Sequence, residues 1–111
     1  GYISSYSADV YGFQYDYLLA KDKYLQAADY FKQAGNKRSE GLALAEVGKM
    51  YVFSDSIDAG LQQILNSKRI FESINNKRCI SLSYNHIGNV YMYLKKYVKN
   101  FLHFREQNAI L

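Results

Sequence analysis

The sequence predicts an all-α protein: a right-handed superhelical stack of antiparallel helical hairpins, an α-α solenoid of about six helices. Three observations carry this. Short motifs recur at an offset of forty residues: Asn36-Lys37-Arg38 returns as Asn76-Lys77-Arg78, and Phe31 returns as Phe71. Tyr11, Tyr51 and Tyr91 form a further series, each three residues after a small one (Ala8, Gly48, Gly88). Within each unit the apolar residues keep helical spacing. The 111 residues also hold no proline and seven glycines, so long helices can run uninterrupted.

The first unit, about residues 1–36, opens on a serine-rich stretch that weakens helix, because serine competes for backbone hydrogen bonds. A helix is expected from about Ile3 to Gln14 and a second from about Asp16 to Ala34, with Asp16 as its cap. Ala20, Tyr24, Ala27 and Phe31 make one buried face, and Gly35-Asn36 stops the helix. The second unit, 37–76, has a helix from about Arg38 to Phe53 that packs through Leu44, Val47, Gly48 and Tyr51. A turn at Ser54-Asp55-Ser56 leads into a helix from Ile57 to Ile74, which buries Gly60, Leu61, Ile64, Ser67 and Phe71.

The third unit, 77–111, repeats the plan. A helix carries Tyr84, Ile87, Gly88, Tyr91 and Leu94 inward, a tight turn falls at Lys95-Lys96, and another helix opens at Tyr97 with Phe101, Phe104 and Ile110. The chain reads as one helical repeat domain over 1–111, a fragment of a longer array. Its last helix shows apolar residues where a finished solenoid has a polar face, so a homodimer through that helix is a further expectation.

Small residues at mid-helix have a packing rationale. Glycine there costs about 1 kcal/mol relative to alanine, a cost that is tolerated where a neighbouring backbone comes close. Ala8, Gly48 and Gly88 are therefore expected to sit at helix contacts, with Ala20 and Gly60 matching them on the second helix of each unit.

This combination resembles the tetratricopeptide repeat family. The resemblance is carried by GNVY at Gly88–Tyr91 with Tyr97, and by DYLLA at Asp16–Ala20 with Tyr24, Ala27 and Phe31. It extends over nearly the whole chain. The family's usual period is about 34 residues; here the period is forty, the family's turn proline is absent, and Asn100 and Gln107 replace small residues in the third unit. Such long-period versions are similar to those in bacterial signalling proteins, notably repeat-containing sensor histidine kinases and Rap-type peptide-responsive regulators. The resemblance implies a protein- or peptide-binding scaffold in the interaction or sensor region of such a protein. The alternatives are a structural self-association module and a regulatory domain that responds to a peptide pheromone.

In that architecture the first helices line a concave groove. By periodicity the positions facing it include Asp9 and Phe13, Lys49 and Phe53, then Asn85, Asn89 and Tyr93. The last three form an i, i+4, i+8 stripe suited to hydrogen-bonding an extended peptide backbone. The bland reading of the same residues is a solvated polar face. Relatives that grip the C-terminal carboxylate of chaperone tails use a set of Lys, Asn and Arg side chains; of the positions here Lys49 alone is basic, so that clamp is not expected.

Other chemistry is unsupported. Paired carboxylates, a Ser/His/Asp set and a glycine-rich phosphate loop are all lacking, so no enzyme activity and no cofactor are expected. His86, His103 and Cys79 are too few and too scattered for a metal site, and His86 beside Ile87-Gly88 reads as a packing residue. Cys79, the lone cysteine, excludes an internal disulfide. No apolar run approaches the roughly 20 residues of a membrane span. Residues 1–60 carry six Lys/Arg against eight Asp/Glu and residues 61–111 eight against two, so the basic second half would attract an acidic partner or a neighbouring acidic repeat. Its basic pairs fall at turns and helix ends rather than on one aromatic-lined face, which argues against nucleic acid. The compartment is open: cytoplasm is favoured, or the periplasm if the chain belongs to a sensor kinase.

Overall fold

Helix ends in this chain are set by which residues accept a left-handed backbone. The computed structural model describes the backbone of residues 10–109 and the side chains of 16–96, 98, 99 and 102. Positive φ occurs at Gly35 (74°), Asp55 (68°) and Asn75 (53°), spaced by twenty residues. Glycine has no Cβ penalty there, and Asn and Asp tolerate the region better than other side chains. The next amide in each case, that of Asn36, Ser56 or Asn76, donates back to the carbonyl of Phe31, Tyr51 or Phe71 at 2.9, 2.8 and 3.0 Å. This is the long return bond of a glycine-type helix stop. Asn36 and Asn76 then cap the helix that follows, their Oδ1 atoms accepting from the amides of Ser39 and Cys79 at 3.1 Å.

Four helices result: α1 Val10–Gln33, α2 Lys37–Phe53, α3 Ile57–Ser73 and α4 Lys77–Ala109. The regular structure of the described residues is all helical, but it comprises four helices where about six were expected. Helix α1 runs straight through Tyr15 and Asp16, so Asp16 lies inside a helix and caps nothing. Helix α4 runs straight through Lys95, Lys96 and Tyr97, where a turn was expected. The twenty-residue spacing explains both. The positions that would continue the turn series are 15 and 95, occupied by tyrosine and lysine. Neither favours a left-handed backbone, and lysine is a good helix former. Residues 3–9 of the expected first helix lie outside the described residues.

Helix α2 is the middle of the molecule and packs against α1, α3 and α4. Its hairpin with α3 is the tightest contact. A Cβ added at Gly48 would stand 2.7 Å from the Gly60 carbonyl oxygen, and one at Gly60 would stand 2.6 Å from the Gly48 oxygen. The two backbones meet where both helices lack a side chain. Further along, Ser67 is fully buried and its Oγ donates to the Gly41 carbonyl at 2.7 Å. The ring of Phe71 covers Gly41 so closely that a Cβ there would meet it at 2.5 Å.

The small-residue expectation therefore holds for Gly48 and Gly60. It fails for Gly88, where an added Cβ would have nothing within 4 Å, and Ala8 lies outside the described residues. Tyr84 and Tyr91, expected inward, are 59% and 58% exposed. What α4 turns inward is Val90, joined to Val52 of α2 and Ile64 of α3 in one core, with Ile87, Tyr93 and Leu94 packed on it. The chain spans 58 × 34 × 18 Å with a radius of gyration of 16.8 Å, against about 13 Å for a compact domain of similar length. No helix among the described residues is long and apolar enough to cross a membrane.

Candidate functional site

A cavity of about 130 Å³ opens between α2 and α4. Its floor is apolar: Val52, Ile64 and Val90, each at most 4% exposed. Phe53 and Tyr93 stand as aromatic walls, and Lys49, His86 and Asn89 supply the polar groups. Helical spacing accounts for the assembly. Lys49, Val52 and Phe53 occupy adjacent positions on one side of α2, and His86, Asn89, Val90 and Tyr93 are i, i+3, i+4 and i+7 on α4.

Several contacts hold the walls. The Tyr93 hydroxyl donates to Asp55 Oδ1 at 3.1 Å, which ties α4 to the α2–α3 turn. Phe53 leans on Tyr17 of α1, ring centroids 5.3 Å apart. Lys49 Nζ donates to Glu46 Oε1 at 3.1 Å, one turn back on the same helix. Since Glu46 and Lys49 are each about one-third exposed, this pair orients the ammonium more than it stabilises the fold.

Of the seven residues expected in the groove, the structure brings Lys49, Phe53, Asn89 and Tyr93 to this cavity. Asn85 is exposed one turn earlier on α4 and lines a separate, more open cavity of about 420 Å³ with Arg38, Leu42 and Arg78. Asp9 lies outside the described residues, as does the side chain of Phe13. Periodicity alone did not place His86, Val52 or Val90 in the groove. For His86 a signal existed: it is three residues before Asn89 and seven before Tyr93, and so on their face.

His86 is half-buried, and its pKa is lowered below 6.5, first by desolvation and then by the Lys49 ammonium, with Glu46 opposing. The sign for stability follows from proton linkage. Well above the unfolded value of about 6.5 the imidazole is neutral in both folded and unfolded chains and contributes no slope. Below it the unfolded chain binds the proton first, so stability falls as the pH drops toward the depressed folded value. Thermal melts from about pH 8 to about pH 5 are expected to show this fall, and His86→Gln to flatten that component.

An apolar cavity of ~150 Å³ holds a benzene ring, so this one matches a single branched or aromatic side chain. Its polar neighbours can hydrogen-bond the backbone on either side of such an anchor. The described residues contain no cluster of three or more His, Cys, Asp or Glu side chains able to hold a metal ion. Comparison with protein-family models, with curated proteins and with solved structures gave no match to this chain.

Proposed function

We propose that the chain is a peptide- or protein-binding module that holds an extended segment along the α2–α4 groove, one apolar side chain seated between Phe53 and Tyr93. The observation that carries this is the convergence of Lys49, Phe53, Asn89 and Tyr93 around a cavity with an apolar floor. Few convergent polar groups around an apolar pocket is the usual make-up of a binding site. The forty-residue recurrence and the resemblance to tetratricopeptide repeats support the same reading, with α2–α3 as one hairpin of a stacked, curved array and α4 packed beside it. A scaffold role in a signalling protein goes with that resemblance.

The test is selection from a random peptide library followed by anisotropy titration. Selected peptides are expected to share one large apolar residue. Phe53→Ala and Asn89→Ala should each weaken them at least about tenfold, roughly the effect of losing one anchor or one hydrogen-bonded contact. Selected peptides that bind both variants as well as the parent chain would rule out this groove as the site.

A further inference from the structure

We propose that the outward face of α4, centred on Gly88, docks an acidic amphipathic helix from a partner protein, with a small residue of that helix at the crossing point. This face lies on the opposite side of α4 from the groove residues Val90 and Tyr93.

The same chain shows what such a face accepts. Gly48, forty residues earlier, takes α3 at backbone contact through Gly60. Around Gly88 the surroundings are open, and the flanking positions one turn away are large and uncovered: Tyr84 at 59% exposure, Tyr91 at 58% and Met92 at 71%. They form a notch with apolar shoulders on one helix stripe, the arrangement into which a facing helix with a small residue fits. Glycine at an exposed mid-helix position is unfavourable for the helix itself, and among the described residues no contact at Gly88 compensates it.

Charge identifies the occupant. Lys95 and Lys99 continue the stripe seven and eleven residues after Gly88, and Lys77 lies eleven before it; all three are exposed. Lys68 of α3 also lies near, its Nζ 5.0 Å from the Tyr84 ring centroid, but it is paired with Glu72 Oε2 at 3.3 Å, so the charge on offer is that of the three lysines of the stripe. The stripe itself carries no carboxylate between Lys77 and Lys99. A second copy is a poor match. Antiparallel pairing about Gly88 would set Lys99 against Lys77, and parallel pairing would set each lysine against itself. Like charges across a contact are unfavourable. A helix with acidic residues two to three turns either side of a small one meets both the notch and its basic ends.

The probe is a labelled helical peptide of about 20 residues with a central glycine, leucines one turn to each side and glutamates further out. It is titrated against the chain by anisotropy. Binding is expected to weaken at least about tenfold when the glutamates become lysines, and to weaken with added salt. Gly88→Leu should abolish binding, and Phe53→Ala should leave it unchanged, which separates this face from the groove. Because a side chain at Gly88 meets open space, the leucine variant should fold, as far-UV circular dichroism would verify. Equal binding by the parent chain and Gly88→Leu, or by the acidic and basic peptides, would overturn the proposal. So would a concentration-dependent dimer that Gly88→Leu abolishes, which assigns the face to a second copy.

Discussion

Phe71→Ala is expected to destabilise the chain by about 3–5 kcal/mol, the range for removing a fully buried ring without collapse of its surroundings. Phe71 is 1% exposed and is the largest of the fully buried side chains among the described residues. Its ring fills the space left by Gly41, in the region where Ser67 Oγ reaches the Gly41 carbonyl. Collapse into the hole is blocked because α2 and α3 are already at backbone contact further along, at Gly48 and Gly60. A loss of this size is a large part of the roughly 5–15 kcal/mol that holds a typical domain. Urea unfolding followed by far-UV circular dichroism measures it, with Phe31→Ala as the comparison. Phe31 occupies the same place forty residues earlier, before the turn at Gly35, but is only half-buried, so its loss should be smaller.

The contrast between Phe31 and Phe71 shows what could be read from the chain alone. Periodicity located the α2–α3 hairpin well, because both helices there are covered on both sides and their patterns are complete. Of the five residues expected inside α3, Gly60, Ile64, Ser67 and Phe71 are buried and Leu61 is partly buried. The helix count differs from expectation because the forty-residue offset conceals a twenty-residue one. The turns at Gly35, Asp55 and Asn75 depend on one backbone conformation, and comparing positions 15, 35, 55, 75 and 95 would have shown that Tyr15 and Lys95 do not share it. For α4 the pattern predicted burial of Tyr84, Gly88 and Tyr91, but a pattern records only what a face is suited to. Whether a neighbour is present depends on the path of the chain, and α4 continues where a hairpin would have returned. The rim of the cavity was legible at Lys49, Phe53, Asn89 and Tyr93, because residues on two helices of like register line up when the helices do. Its floor was not, since Val52, Ile64 and Val90 come from three helices and meet only in the fold.

Alanine at two glycines of the same register is expected to give opposite results. At Gly48 the added methyl would stand 2.7 Å from both the Gly60 carbonyl oxygen and Ile64 Cγ1. A carbonyl oxygen cannot withdraw without moving its helix, so α2 and α3 must separate. Overpacking of this kind costs about 1–3 kcal/mol, and two contacts this short place it at the upper end. The gain in helix propensity, about 1 kcal/mol, offsets part of it, leaving a net loss of about 2 kcal/mol. At Gly88 the methyl meets nothing, so the propensity gain of about 1 kcal/mol stands alone and Gly88→Ala should melt several degrees higher. The two variants should therefore differ by about 3 kcal/mol although the substitution is the same. Equilibrium unfolding of both, on one instrument and at one protein concentration, decides it. Stabilisation by Gly48→Ala would mean that α2 and α3 do not approach at Gly60, and destabilisation by Gly88→Ala would mean that the outer face of α4 is already covered.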